Sequence, residues 1–199
     1  MIYNLLLCLG DSLTFGARDR FGRNYPLELA RSLSSATQED WYCITEAYNG
    51  RTSSELAREA YPIVQRYPDV YGACILIGTN DSRQKVPVDI YLDNVKQIVR
   101  VCRIAKKRVF LLSVPQFSPE RHFLWYDHEA LRLLGEYNEG LRQIPGATFV
   151  DIEPIISDAE LVDGVHFSHE GNLKLADFLT RYFVNEAAGV KSLRGARAE

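Results

Sequence analysis

The sequence has no long hydrophobic run, no block of charge of one sign, and no metal-binding or redox spacing of its cysteines. Its first apolar run, residues 5–9, is too short to span a membrane. No cationic segment precedes this run and no small-residue cleavage site follows it. We therefore expect a cytoplasmic protein without stable membrane insertion.

The distribution of charge and cysteine excludes further classes of function. Charged residues make up 25% of the 199 residues, the formal net charge is -3, and the two signs alternate along the chain. This pattern gives no electrostatic footprint for DNA or RNA, so no nucleic-acid partner is expected. None of the four cysteines forms a C-x-x-C motif, and we interpret them as small core residues: Cys8, Cys43, Cys74 and Cys102. No metal and no cofactor are expected.

Short apolar runs alternate with longer stretches of helical periodicity. The runs cover residues 3–9, 42–47, 73–77, 108–114 and 148–152. This alternation is typical of an α/β protein with a five-stranded parallel sheet, and the nearly continuous apolar character of the runs predicts helices on both faces. The helical patterns cover residues 25–33, a stretch capped by Ser53 or Ser54, and residues 87–105, 128–143 and 169–185. Pro62 is expected to kink or end the second helix.

The length of the chain predicts one domain. This domain is expected to cover residues 1–186, because they contain no internal repeat and no low-complexity linker. Residues 187–199 lack apolar periodicity and are predicted to be a flexible C-terminal tail.

Polar and glycine residues follow four of the predicted strands. Gly10-Asp11-Ser12-Leu13 follows the first, Tyr48-Asn49-Gly50-Arg51-Thr52 the second, Gly78-Thr79-Asn80-Asp81 the third, and Asp163-Gly164-Val165-His166 lies beyond the fifth. Ligands bind outside the carboxyl ends of the strands in an open parallel sheet. We therefore expect these four groups to converge on one edge of the sheet.

The four groups contain each part that serine-based acyl transfer needs. A serine hydroxyl becomes a nucleophile when an imidazole takes its proton and a carboxylate holds the second ring nitrogen. Ser12 is the candidate nucleophile, His166 the candidate base, and Asp163, three residues earlier, the candidate carboxylate. The backbone N–H groups of Ser12 and Gly50 and the side-chain amide of Asn80 are candidate oxyanion donors. A glycine at position 50 lets its backbone approach a ligand closely.

In these four blocks the sequence resembles the SGNH hydrolases, also called the GDSL esterase/lipase family. Each block alone is weak, but four in order over most of the chain are a specific signal. The resemblance implies a three-layer α/β/α sandwich similar to flavodoxin, with the roles given above for Ser12, Asp163 and His166 and for the oxyanion donors. Position 14 is Thr14, so the G-x-S-x-G elbow of the α/β-hydrolases is absent.

Two loops at the same edge are long enough to shape a substrate pocket, residues 17–24 and residues 116–127. The second loop is rich in aromatic residues, which favours a hydrophobic wall for an acyl or aryl group or a subunit interface. Phe117 and Trp125 are its candidate substrate contacts. Arg51 is a third candidate. If its side chain points inward it can bind an anionic group of the substrate, and otherwise it is a solvated side chain.

These observations predict a serine hydrolase that cleaves carboxylic esters. Its expected substrate is a short-chain or acetyl ester of a small molecule or sugar. The resemblance also leaves thioesterases, lysophospholipases and acyltransferases open, since they use the same triad. A non-catalytic ligand-binding domain of this fold predicts loss of Ser12, Asp163 or His166, and all three are present. A flavodoxin-type protein uses a serine loop to bind phosphate but gives no reason for Asp163 and His166.

Overall fold

A parallel sheet of five strands forms the centre of the protein. The computed structural model describes residues 4–118 and 127–195. The strands are β1 (Asn4–Gly10), β2 (Trp41–Ala47), β3 (Gly72–Leu76), β4 (Arg108–Leu112) and β5 (Thr148–Val150). Their order in the sheet is β2-β1-β3-β4-β5, and every neighbouring pair is parallel. The predicted sheet is confirmed.

Strands β4 and β5 each end two residues before their predicted bounds. The backbone N–H of Ser113 still donates to the carbonyl oxygen of Val150 at 3.0 Å. At the next position the Ser113 hydroxyl accepts the hydrogen bond of the Ile152 N–H at 2.8 Å. The strands stop there because a side chain takes over from the backbone ladder, although Val114 and Ile152 remain buried.

Helices occupy the connections between the strands. They are α1 (Ser12–Phe15), α2 (Tyr25–Thr37), α3 (Ser53–Arg66), α4 (Thr79–Arg83), α5 (Val88–Ile104), α6 (His128–Arg142) and α7 (His169–Gly195), with a short 3-10 helix at Asp158–Glu160. Helix α7 is longer than predicted, because it continues to Gly195 through most of the segment expected to be a flexible tail. None of the helices in the described ranges is long and apolar enough to cross a membrane.

The start of α3 differs from the prediction. Thr52, not Ser53 or Ser54, is the N-cap: its hydroxyl accepts a hydrogen bond from the Glu55 N–H, and the Glu55 carboxylate accepts one from the Thr52 N–H at 2.8 Å. This reciprocal pair satisfies two N–H groups at the helix start. Pro62 lies inside α3 and does not end it, since the helix continues to Arg66.

The two faces of the sheet carry separate hydrophobic cores, as the apolar runs predict. Successive side chains of a strand point to opposite faces, so Leu7 and Leu9 of β1 pack toward α3, α5 and α6, and Leu6 and Cys8 toward α2 and α7. Cys74 and Cys102 are also fully buried core residues, and Cys43 packs half-buried against the second core. The result is a three-layer α/β/α fold.

The strand order sets the place of the candidate site. Strand β2 lies on one side of β1, whereas β3, β4 and β5 follow on the other side. The carboxyl ends of β1 and β3 therefore meet at the topological switch point, where open α/β sheets bind ligands. Ser12 follows β1 and Asn80 follows β3 at this point.

Candidate active site

Ser12 lies where β1 turns sharply into α1. Asp11 caps the helix, because its Oδ1 accepts a hydrogen bond from the backbone N–H of Leu13 at 3.0 Å. A Cβ at Gly10 would come within 2.4 Å of the backbone oxygen of Leu76, so the turn requires glycine there. The turn holds Ser12 at the sheet edge with only 6% of its surface exposed.

His166 lies on a loop beyond β5 that is closed by backbone pairing. Leu161 and Phe167 form an antiparallel bridge across the loop, and the Val162 N–H donates to the His166 carbonyl oxygen at 2.8 Å. The His166 Nε2 atom is 3.0 Å from the Ser12 Oγ atom. The loop thus brings an imidazole within hydrogen-bond distance of the serine.

Asp163 contacts both the ring and the backbone of His166. Its Oδ2 is 2.8 Å from His166 Nδ1, and its Oδ1 accepts hydrogen bonds from the backbone N–H groups of His166 at 2.8 Å and Val165 at 3.1 Å. Burial by itself raises the pKa of the Asp163 carboxyl, but the hydrogen bonds from His166 outweigh burial and leave the pKa below its ordinary value. An ionised carboxylate at this position keeps the proton on Nδ1, so Nε2 is free to accept one from Ser12.

Gly50 and Asn80 line a cavity of about 560 Å³ together with Ser12 and His166. Gly50 has a φ of +83°, a left-handed conformation that favours glycine. The Asn80 Nδ2 atom donates a hydrogen bond to the Arg51 carbonyl oxygen at 3.0 Å, which fixes the amide beside the Gly50 turn. An amide nitrogen carries two N–H groups, so one is left to donate to a ligand.

A buried polar network supports this part of the cavity, and sequence reasoning missed it. Asp81 is fully buried and accepts hydrogen bonds from Ser53, from the backbone N–H at 2.9 Å and from the hydroxyl at 2.5 Å. The Asn94 amide donates to the same hydroxyl at 3.0 Å. The network ties the start of α3 to α4, and hence the Gly50 turn to Asn80. No local signal pairs residues 28 positions apart.

Asp11 carries an unusual buried carboxyl group. Its Oδ1 accepts the Leu13 N–H, but its buried Oδ2 has no hydrogen-bond partner among the described residues. Burial, helped by the nearby Asp81 carboxylate and opposed by hydrogen bonding, raises the pKa of Asp11 to about 7. The group is therefore only partly ionised near neutral pH.

The structure corrects the interpretation of Arg51 as a substrate contact. Its side chain is 2% exposed and is absent from the lining of the Ser12 cavity. The guanidinium pairs with Glu59, donates to the Glu46 carbonyl oxygen at 2.8 Å, and lies over the ring of Tyr48. A buried charge is stable only with such partners, and these contacts keep the Arg51 guanidinium inside the protein.

The aromatic loop gives a second correction. Phe117 is 3% exposed and packs in the core with α5 and α6, so it does not form a wall of the cavity. Trp125 lies outside the described residues. The next residue after Phe117 still reaches the candidate site, because the Ser118 N–H donates to the Gly164 carbonyl oxygen at 2.7 Å. The first substrate loop contributes Ala17 and Arg18 to the lining.

Comparison with known proteins identifies the class to which this site belongs. The model of the GDSL-like lipase/acylhydrolase family matches residues 8–174. The chain therefore belongs to the GDSL-like lipase/acylhydrolase family, as the four sequence blocks predict, and it is a carboxylic ester hydrolase. The comparison with curated proteins found no significant match.

Several solved structures share the fold over most of both chains. The lipase Lip_vut3 from a goat rumen metagenome has a TM-score of 0.75 at 19% identity, covering 88% of this chain and 95% of that chain. A catalytic mutant of Axe2, an acetylxylan esterase from Geobacillus stearothermophilus, has a TM-score of 0.75 at 20% identity, covering 89% and 93%. LAE5, an alpha/beta hydrolase enzyme from the metagenome of Lake Arreo in Spain, has a TM-score of 0.72 at 21% identity, covering 88% and 93%.

Proposed function

We propose that the protein is a serine esterase that cleaves short-chain or acetyl esters through an acyl-enzyme intermediate. The observation that carries the proposal is the continuous chain of contacts from Asp163 Oδ2 to His166 Nδ1 at 2.8 Å and from His166 Nε2 to Ser12 Oγ at 3.0 Å. Solved forms of the Axe2 esterase described as catalytic mutants replace an aspartate, a histidine or a serine, the same three residue types.

The first half-reaction forms the acyl-enzyme. The Ser12 oxygen attacks the ester carbonyl carbon while His166 Nε2 takes the hydroxyl proton, and Asp163 stabilises the imidazolium. The oxyanion receives hydrogen bonds from the Ser12 and Gly50 backbone N–H groups and from the Asn80 amide. The bond to the alkoxy oxygen then breaks, and His166 returns the proton to the departing alcohol.

The second half-reaction reverses these roles with water as the nucleophile. His166 takes a proton from water, the hydroxide attacks the acyl carbon, and the bond to Ser12 breaks as its oxygen regains a proton from His166. The products are a carboxylic acid and an enzyme in its starting state. An alcohol in place of water gives acyl transfer by the same steps.

The lining of the cavity supports a short acyl group. Within the described ranges, Phe15 is its only apolar side chain larger than alanine, while polar groups from Asn49, Asn80 and two arginines surround it. A long alkyl chain needs a continuous apolar surface to gain from burial. Small acyl groups on a polar alcohol fit this lining better than lipid chains.

Hydrolysis of p-nitrophenyl acetate, butyrate and octanoate tests the proposal. We expect the acetate or butyrate to be cleaved with the highest kcat/KM, and the Ser12→Ala variant to lose this activity. Ser35→Ala, which changes an exposed serine of α2, is the matched control and should keep it. Equal activity of wild type and Ser12→Ala would contradict the role of Ser12, and fastest cleavage of the octanoate would contradict the short acyl group. An added alcohol, with analysis for a new ester, distinguishes transfer from hydrolysis.

A further inference from the structure

Two arginines line the cavity that contains Ser12 and His166. Arg18 comes from the loop after α1, and Arg83 is the last residue of α4, so they reach the cavity from different sides of the β1/β3 switch point. The described lining contains no carboxylate. The cavity therefore presents two guanidinium groups within the space that a substrate of Ser12 would occupy.

Other cations near Arg18 and Arg83 in the sequence already pair with carboxylates. They form the ion pairs Arg20 with Glu170, Arg23 with Glu28 and Lys85 with Asp127. Arg18 has one carboxylate nearby, since its Nε is 3.7 Å from Asp163 Oδ2, an oxygen that His166 already contacts. Arg83 makes no ion pair and no side-chain hydrogen bond with any residue of the described ranges. The cavity thus keeps an excess of positive charge.

The loop that carries Arg18 is fixed in place by the next residue. Asp19 Oδ1 accepts hydrogen bonds from the backbone N–H groups of Phe21 at 2.7 Å and Arg23 at 3.1 Å, and its Oδ2 contacts His169 Nδ1 at 3.1 Å. Arg18 itself has a φ of +72°, a conformation that is uncommon for non-glycine residues. The backbone of Arg18 is therefore held at the cavity before any substrate arrives, and 64% of its side chain remains exposed to a ligand.

We propose that the alcohol part of the natural ester carries an anionic group, a carboxylate or a phosphate, that Arg18 and Arg83 bind. This inference rests on the proposed function, because a short acyl group leaves the alcohol part as the portion large enough to reach the arginines. Guanidinium groups donate paired, charge-assisted hydrogen bonds to such anions. The excess positive charge also attracts an anionic substrate into the cavity.

A pair of esters that differ in one charge tests the inference. The probes are 4-acetoxybenzoate and its neutral analogue 4-acetoxybenzamide, with each rate divided by the rate of alkaline hydrolysis of the same ester. We expect the wild type to prefer the benzoate in kcat/KM by about 10-fold, the order expected for hydrogen bonds to a charged group. The double variant Arg18→Gln/Arg83→Gln should show a ratio near one. Arg100→Gln/Arg103→Gln, an equal loss of two charges at exposed positions of α5, should keep the preference.

Binding to the Ser12→Ala variant gives a second readout that does not depend on turnover. Isothermal titration should give a lower Kd for the benzoate than for the amide, and the difference should disappear when Arg18 and Arg83 are also replaced. If the wild type hydrolyses both esters at equal normalised rates, the anion inference fails and the esterase stands. If neither ester is hydrolysed but the benzoate still binds more tightly through the arginines, the esterase proposal fails and the anion site stands. Equal Kd values for the two probes overturn the inference.

Discussion

The two sides of the candidate site are built in different ways. On the base side, Asp163 and His166 belong to one irregular loop, and their side chains are 16% and 19% exposed. On the oxyanion side, Asn80 and Asp81 lie in the first turn of α4, after a central strand, and are almost completely buried. The base side is held by a contact between residues three positions apart in the sequence, whereas the oxyanion side is held by a contact between residues 28 positions apart.

This difference predicts two kinds of variant. Some remove a group that takes part in the reaction, and others displace such a group without removing it. A local loop with its own hydrogen bonds keeps its shape when one distant contact is lost. The position of the Gly50 turn relative to Asn80 instead depends on the buried pair of Ser53 and Asp81. Substitutions on the two sides should therefore differ in how far they lower activity and in whether they change kcat or KM.

The largest effect is expected at the base. His166→Ala removes the group that accepts the Ser12 proton, so kcat/KM for p-nitrophenyl acetate should fall by about 10⁴-fold or more. His128→Ala, at the exposed start of α6, should have no such effect. A His166→Ala enzyme with a tenth of the wild-type activity would show that another group acts as the base.

A smaller effect is expected from the oxyanion donor. Asn80→Ala should lower kcat by about 10²–10³-fold, because the amide donates to charge that develops only in the transition state. Asn185→Ala, an exposed asparagine of α7, is the matched control for steady-state kinetics. Full activity of Asn80→Ala would remove Asn80 from the mechanism.

The Ser53→Ala variant tests the positioning network itself. Loss of the hydroxyl leaves Asp81 with the backbone N–H of Ser53 as its remaining contact from α3, so we expect kcat to fall about 10-fold with KM nearly unchanged. The adjacent Ser54→Ala keeps the Asp81 contact and should behave as wild type. If Ser53→Ala raises KM and leaves kcat intact, Ser53 acts on substrate binding and not on the oxyanion donors.

The smallest effect on activity, but a clear effect on stability, is expected at Asp11. Its pKa of about 7 in the folded chain exceeds the ordinary value of 3.8, so the folded state binds a proton that the unfolded state has lost. The free energy of unfolding should therefore fall as the pH rises from about 4 to about 7, by at most about 4 kcal/mol.

The Asp11→Asn variant removes this titration. Urea unfolding at pH 5 and pH 8 should show that the variant loses less stability than the wild type between the two values. Asp93→Asn, at an exposed position of α5, is the control. If the free energy of unfolding depends on pH equally in the wild type and in Asp11→Asn, the raised pKa of Asp11 is contradicted.

Local patterns were sufficient to predict most of the fold. Continuous apolar runs give all five strands, and the short polar groups beyond the strands contain Ser12, Asp163 and His166, which the structure brings into contact. Arg51 and Phe117 were misinterpreted, since the side toward which a loop residue points depends on partners such as Glu59 that are distant in sequence or belong to another element. The pairing of Ser53 with Asp81 requires the packed structure for the same reason. The cap at Thr52 does not, because Thr52 and Glu55 form a local capping-box pattern that the sequence contains.

Labelling with a fluorophosphonate tests the central claim most directly. This reagent phosphonylates an activated serine, and mass spectrometry of the digested protein locates the adduct. The account predicts one adduct, on Ser12, in the wild type and none in the His166→Ala variant, because the serine needs the imidazole to lose its proton. An adduct on another serine, or equal labelling of Ser12 without His166, would contradict it.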